Sequence, residues 1–205
     1  MDTYKTYTER ILTPTPTILG LRLYPFTLGH SLLLKGVNSK FINGEYNKFL
    51  DVNTVAKHIV ADFNLIPEFV LALLICSTTY DEFKDEVNNG ELGNVINILV
   101  ADIKTAKVNF IEKIHAFAHY LKQGTDLPLY YNCEDKNTVK TTPIELEEAV
   151  LSTLMTNCGY TRNECLNLPM TETLSAYLLY AHSMGSIELI GKDVFDLTQK
   201  LKAGK

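Results

Sequence analysis

The stretch that decides the fold class runs from residue 92 to residue 121 and reads LGNVINILVADIKTAKVNFIEKIHAFAHYL. Apolar side chains recur in it at intervals of three and four residues, which is the spacing that places side chains on one face of an α-helix. They are Ile96, Leu99, Ile103, Ala106, Phe110, Ile114, Phe117 and Leu121. We therefore predict one continuous helix, about 45 Å long at 1.5 Å per residue. A helix of this length requires other helices along its apolar face, so we expect Leu99, Ile103, Phe110, Ile114 and Phe117 to be largely buried.

The sequence on either side of this stretch carries further helix signals. Thr27 is a candidate N-cap, and so is either Asp51 or Asn53. The capping box Thr161–Glu164 begins a short helix that Pro169 ends. Predicted helices cover residues 25–35, 51–63, 67–75, 143–157, 162–168, 171–184 and 193–202, and residues 82–87 form a short acidic turn.

The predicted fold is all-α: a helical bundle with one long central helix and an extended N-terminal arm. The arm covers residues 1–24, because alternating prolines at residues 13–17 and a period-2 leucine pattern at residues 19–23 favour extended backbone. Residues 38–50 are rich in Asn, Gly and Ser and predict a loop or a hairpin-like excursion. The polar residues 123–142 predict a linker between a helical subdomain over residues 25–122 and a C-terminal helical subdomain over residues 143–205.

Composition limits the classes of function that the chain can have. The 205 residues are 46% apolar and 21% charged, as in an ordinary globular domain. A net charge of −5 does not favour a nucleic-acid partner, because phosphate groups require a concentrated positive surface. The longest apolar run, residues 69–76, is too short to cross a membrane, and the first residues do not resemble a secretory signal. We expect a cytoplasmic protein with reduced cysteines and no membrane partner.

No catalytic motif is recognisable in the sequence. Glu112-x-x-His115 resembles half of a di-iron carboxylate site, and His115 and His119 have the spacing at which two imidazoles share a metal. The second Glu-x-x-His that a di-iron bundle needs does not occur, and helical geometry directs both histidines away from the apolar stripe. His30 and His182 have no nucleophile motif beside them. We therefore expect a solvated histidine face and no catalytic residue, metal, cofactor or small-molecule substrate.

Acidic residues cluster in one part of the chain. Residues 81–103 contain six Asp or Glu and one Lys, whereas residues 1–64 carry a small positive excess. Such a cluster is usually a solvated face, and alternatively it marks the docking site of a basic partner. Association of the positive segment with the acidic one predicts a homo-oligomer as a further alternative.

Two parts of the chain resemble bacteriophage proteins. Residues 23–34, LYPFTLGHSLLL, followed by residues 73–77, LLICS, resemble uncharacterised proteins encoded in bacteriophage and prophage structural gene clusters. Residues 159–170, GYTRNECLNLPM, resemble the helix–short helix–helix element of phage tail assembly chaperones. The resemblance implies a non-enzymatic morphogenesis protein that binds phage tail or connector proteins in the host cytoplasm. The alternative is a virion structural subunit, such as a head–tail connector or a ring or tail component.

The C-terminal helices contain a candidate partner-binding strip. Leu174, Tyr177, Leu178 and Ala181 lie at helical spacing, so they form one apolar strip along which a partner helix can lie. In the alternative, the strip packs against the chain's own predicted helix over residues 143–157.

Overall fold

A computed structural model describes residues 14–42, 44–62, 64–90, 92–105, 109–125, 130–132 and 145–189. These residues are mostly helical, which confirms the all-α prediction. Their α-helices are α1 (Leu28–Gly36), α2 (Val52–Ala61), α3 (Leu65–Cys76), α4 (Tyr80–Asn89), α5 (Leu92–Thr105), α6 (Phe110–Thr125), α7 (Leu146–Asn157), α8 (Arg162–Asn167) and α9 (Met170–Ser183), and a 3-10 helix covers Glu45–Leu50. Two short antiparallel ladders pair β1 (Thr17–Ile18) with β2 (Leu21–Arg22), and β3 (Tyr130–Asn132) with β4 (Ile187–Leu189).

Two helices replace the single long helix predicted over residues 92–121. Helix α5 ends at Thr105, Asn109 is not helical, and α6 begins at Phe110. The Asn109 carbonyl accepts the N–H of Lys113, and its side-chain oxygen lies 3.5 Å from the N–H of Glu112, so Asn109 acts as an N-cap. The apolar spacing continues across the break, which is why periodicity alone does not reveal it.

The two halves of the apolar stripe pack against different partners. Helix α5 lies on α3, whereas α6 lies on the 3-10 helix and on α2. Ile114 and Phe117 of α6 are fully buried, as predicted. Phe110 and Leu99 are half-buried at the edge of the core, so they are less buried than Ile114 and Phe117. The side chain of Ile103 and all of Ala106 lie outside the described residues.

An aromatic cluster forms the centre of the core. The Phe117 ring lies 5.4 Å from that of Phe41 and 5.7 Å from that of Phe69, measured between centroids, and Phe49 lies 5.0 Å from Phe41. All four side chains are fully buried. Phe41 and Phe49 belong to the segment predicted as a loop or hairpin-like excursion. That segment is therefore fixed by aromatic packing, and its described residues contain one short regular element, the six-residue 3-10 helix.

The described part of the predicted N-terminal arm is a hairpin that joins the core. Strands β1 and β2 are connected by Leu19 and Gly20, with φ of +53° and +79°. Ile18 and Leu23 are buried, and the backbone N–H of Tyr24 donates to the Cys76 carbonyl of α3 at 2.8 Å. From residue 14 onward the chain thus packs on itself rather than extending away, and residues 1–13 lie outside the described residues.

The C-terminal helices share the core with the rest of the chain. Val150, Leu154 and Leu174 belong to the same buried cluster as Phe117. The Met170 N–H donates to the Phe26 carbonyl at 2.6 Å, which ties the start of α9 to the segment before α1. The predicted subdomains 25–122 and 143–205 therefore meet in one core. Most of the predicted linker 123–142 and the whole predicted helix 193–202 lie outside the described residues.

A polar contact fixes α7 against α1. The Ser31 hydroxyl donates to Glu147 at 2.8 Å, and Lys35 forms ion pairs with both Glu145 and Glu147. Glu147 is buried, so these partners compensate for the water that its carboxylate loses. Burial alone raises the pKa of Glu147, but the hydrogen bonds from Lys35 and Ser31 lower the pKa below its ordinary value.

His30 completes an unusual capping box at the start of α1. The Thr27 hydroxyl accepts the His30 N–H at 3.1 Å, and His30 Nδ1 accepts the Thr27 N–H at 3.2 Å. On the other side of the ring, Nε2 donates to the Thr78 carbonyl at 2.8 Å. The imidazole is buried, and burial lowers its pKa from 6.5 to about 4. His30 is therefore a neutral structural residue at neutral pH.

No single helix in the described part of the chain has the length and apolar character to cross a membrane. Helices α2 and α3 meet those criteria only when they are counted together, and they are bent by 118° relative to each other. Most side chains of α3 are buried within the protein.

Replacing Phe117 by Ala is expected to lower the free energy of unfolding by about 3–5 kcal/mol, because the change opens a cavity beside Phe41 and Phe69. Phe110→Ala should cost clearly less, since the Phe110 ring is only half-buried. Urea denaturation followed by circular dichroism measures both losses. A loss for Phe117→Ala no larger than that for Phe110→Ala would contradict the central position of Phe117.

Acid is expected to destabilise the protein through His30. The unfolded state binds a proton near pH 6.5, whereas the folded state binds it only near pH 4, so stability falls as the pH decreases between these values. The full difference in pKa between the two states corresponds to about 3 kcal/mol in the free energy of unfolding. Unfolding free energies of the wild type and His30→Gln from pH 7.5 to pH 4 isolate this contribution, because carboxylates titrate in both proteins. Parallel pH profiles for the two proteins would contradict it.

Candidate docking surface

Helix α5 is apolar over its first ten residues, with no charged side chain from Leu92 to Ala101. Ile96, Leu99 and Val100 are half-buried and pack against Val70 and Leu74 of α3. This small cluster is separate from the main core. Contact with α3 therefore covers one side of α5 and leaves its other side uncovered by α3.

The outer side of α5 exposes branched apolar side chains. Val95 is 38% exposed and Ile98 is 61% exposed. They are three residues apart, so they lie side by side on the helix surface. A surface helix ordinarily carries polar or charged residues at such positions, and a helix that is apolar all round is ordinarily buried. Asn94 and Asn97 are exposed on the same side, so the outer side of α5 is uncharged and only partly apolar, with Val95 and Ile98 as its exposed apolar positions.

The neighbouring helix α4 is acidic. The sequence analysis predicts only a short turn over residues 82–87, and the structure corrects this to a ten-residue helix. The missed signal is the capping box of Thr79 and Glu82, whose side chains each accept the other's backbone N–H, at 3.3 and 2.8 Å. These hydrogen bonds hold the pKa of Glu82 below its ordinary value.

The acidic residues of α4 are arranged at a cost to the helix itself. Asp81 and Asp85 are one turn apart, as are Glu82 and Glu86, and all four are exposed. Like charges at this spacing destabilise a helix by about 0.2–0.5 kcal/mol per pair. The last turn of α4 has no basic residue to balance the carboxylates near the negative end of the helix dipole. A basic group from outside the chain would relieve this repulsion.

Helices α4 and α5 contact each other, so the acidic helix is a neighbour of the helix that exposes Val95 and Ile98. We call their exposed residues Asp81, Asp85, Glu86, Val95 and Ile98 the α4–α5 surface. The apolar side chains favour burial by a partner, and the carboxylates favour a partner with positive charge. The acidic part is visible in the sequence as a candidate docking site. The apolar part is not, because the spacing of Ile96 and Leu99 predicts a buried stripe and gives no signal that Val95 and Ile98 are exposed.

The predicted partner-binding strip lies on α9. Leu174 and Leu178 are buried, at 3% and 5% exposure, whereas Tyr177 and Ala181 are half-buried. Helix α9 packs against α7 and α6. This burial fits the alternative in which the strip packs inside the chain. A partner helix reaches Leu174 and Leu178 only if α9 moves away from the core.

Of the residues singled out for possible chemistry, His115 and His119 lie next to each other on α6, whereas His30 and His182 lie elsewhere. His30 is buried in its capping box, and His182 contacts the Ile187 carbonyl through Nδ1 at 3.1 Å. Glu112 and His119 are exposed on α6, as predicted, whereas His115 is half-buried. Within the described ranges, no three His, Cys, Asp or Glu side chains are grouped so that they could hold a metal. Cys76, Cys158 and Cys165 are free thiols, and Cys133 lies outside these ranges.

Truncation of an internal and of an outer apolar side chain should affect stability differently. Leu174→Ala is expected to lower the free energy of unfolding by about 2–5 kcal/mol because Leu174 is buried. Ile98→Ala should change it by less than about 0.5 kcal/mol because Ile98 is exposed. Chemical denaturation measures both values. A large loss for Ile98→Ala would mean that α5 is covered by this chain itself.

No protein-family model, curated protein or solved structure matches this chain. The α4–α5 surface is therefore identified as a candidate docking surface from the exposure, charge and packing of its own residues.

Proposed function

We propose that this protein is a non-enzymatic phage morphogenesis factor that acts through protein–protein contacts, in the manner of a tail assembly chaperone. The observation that carries the proposal is the exposed, uncharged outer side of α5. A chaperone of an aggregation-prone protein must offer apolar surface to that protein before its final contacts form. The resemblance of residues 159–170 to tail assembly chaperones points in the same direction.

The charge of α4 indicates which chemistry the partner should have. An apolar segment flanked by Lys or Arg would bury Val95 and Ile98 while its charges approach Asp85 and Glu86. Complementary charge speeds association and fixes orientation more than it adds affinity. Two exposed apolar side chains form a small patch, and small interfaces are typical of transient complexes. Such binding suits a protein that holds its partner during assembly and then leaves.

A virion structural subunit, as a head–tail connector or a ring or tail component, is the second candidate. In that function the N-terminal arm wraps a neighbouring copy of the chain. Residues 14–24 instead form a hairpin on the chain's own core, which supports the chaperone over the subunit. A second copy that covers α5 would still be compatible with a ring.

Ile98→Asp is expected to weaken binding of the tail protein at least about tenfold, because it places a charge in the apolar part of the interface. Leu179→Asp is the matched control, since Leu179 is 59% exposed and lies on α9. Co-purification of each variant with tail proteins of the same phage, quantified by mass spectrometry, measures the effect. Equal losses for both variants, or no loss for either, would contradict docking on α5.

Mass spectrometry of purified particles separates the two candidate functions. A chaperone is expected in complexes with an immature tail protein and absent from mature particles. A virion subunit is expected in mature particles at a stoichiometric copy number. Detection at that copy number would overturn the chaperone proposal.

A further inference from the structure

Three electron-pair donors converge where α6 passes the end of the 3-10 helix. Nε2 of His119 lies 3.2 Å from Nε2 of His115, one turn earlier on α6. The same His115 nitrogen lies 3.2 Å from the carbonyl oxygen of Leu50, the last residue of the 3-10 helix. The sequence predicts the spacing of the two histidines but not the carbonyl, which the fold adds from 65 residues away.

Hydrogen bonding satisfies this arrangement poorly. If Nε2 of His115 carries a proton, it can donate a well-aligned hydrogen bond to only one of its two neighbours, the Leu50 carbonyl or Nε2 of His119. If it carries none, its lone pair faces the lone pairs of the carbonyl oxygen. A protonated His119 can then donate to His115, but the carbonyl remains unpaired. A cation beside His115 Nε2 would accept electron pairs from that nitrogen and from its two neighbours, His119 Nε2 and the Leu50 carbonyl oxygen, which each lie 3.2 Å from it.

We propose that His115, His119 and the Leu50 carbonyl bind a divalent transition-metal ion, with Zn²⁺ as the ion tested. Zinc binds imidazole nitrogen at about 2.0–2.1 Å. Two nitrogens 3.2 Å apart at that range subtend an angle of about 100° at the metal, close to tetrahedral. The helix therefore holds the two imidazoles at the separation that one zinc ion requires.

The surroundings are compatible with metal entry and with neutral ligands. His119 is exposed, so an ion can reach the site from solvent. Zinc binds the neutral imidazole, the form in which a ring nitrogen offers its lone pair. A fourth coordination position is left to water. This site departs from the expectation of a merely solvated histidine face, and it needs no second Glu-x-x-His.

A bound ion would join the 3-10 helix to α6. The Leu50 carbonyl follows directly after Phe49, which packs on Phe41 in the aromatic cluster. Coordination would thus fasten the irregular segment over residues 38–50 to the helix that carries Phe117. Magnesium prefers oxygen ligands and should not substitute for zinc here.

Isothermal titration of the untagged full chain with ZnCl₂, together with its thermal unfolding, tests the proposal. The wild type should bind one Zn²⁺ per chain, and its unfolding midpoint should rise with zinc but not with Mg²⁺. His119→Gln should weaken binding at least about tenfold and abolish the zinc-dependent rise. His115→Gln should have the same effect. Because His119 is exposed, His119→Gln should fold normally and remains informative even if His115→Gln is unstable.

His182→Gln and Cys158→Ser are the controls for other exposed metal-binding side chains. Both variants should bind Zn²⁺ like the wild type. The proposal is overturned if the wild type binds no Zn²⁺ at about 100 μM. It is equally overturned if His119→Gln binds as tightly as the wild type, or if His182→Gln or Cys158→Ser removes the binding.

Discussion

Phe117 packs its ring against Phe41 and Phe69, and most of the described structure is arranged around this contact. Phe69 belongs to α3, while Phe41 comes from a segment with little regular secondary structure. Burial of these rings supplies free energy that orders the segment, since the regular structure among its described residues is a short 3-10 helix of six residues. The position of the Leu50 carbonyl beside His115 follows from the same packing.

The break at Asn109 separates two helices of the apolar stripe, and these two helices pack against different partners. Helix α6 is covered by the 3-10 helix, α2 and α9. Helix α5 is covered on one side by α3 and exposes Val95 and Ile98 on the other. This packing leaves Val95 and Ile98 exposed on α5, while other described apolar side chains, including Val60 and Leu179, are exposed elsewhere.

Local sequence signals predicted much of the fold. Thr27, Asp51 and the Thr161–Glu164 pair cap helices as predicted, because capping depends on neighbours within three residues. The break at Asn109 also had a local signal, an Asn three residues before Glu112, but the unbroken apolar spacing concealed it. The hairpin of β1 and β2 was missed because it requires Leu19 in a left-handed conformation that is rare for leucine.

The candidate sites were predictable only in part, since both depend on distant contacts. The acidic cluster of α4 and the His115–His119 spacing are visible in the sequence. The exposure of Ile98 depends on which side of α5 meets α3, and Leu50 reaches His115 only through the fold. For the same reason, the sequence left open whether Leu174 is buried, because its burial depends on the packing of α9 on α7 and α6.

The most direct test of docking on α5 is site-specific photo-crosslinking in cells that produce this chain together with the phage proteins proposed as its partners. A photoreactive amino acid replaces Ile98 in one variant and Leu179 in another, and mass spectrometry identifies the crosslinked proteins. Docking on α5 predicts that position 98 crosslinks to a tail protein with an apolar, Lys- or Arg-flanked segment, whereas position 179 does not. Crosslinks from position 179 alone, or none from position 98, would contradict it.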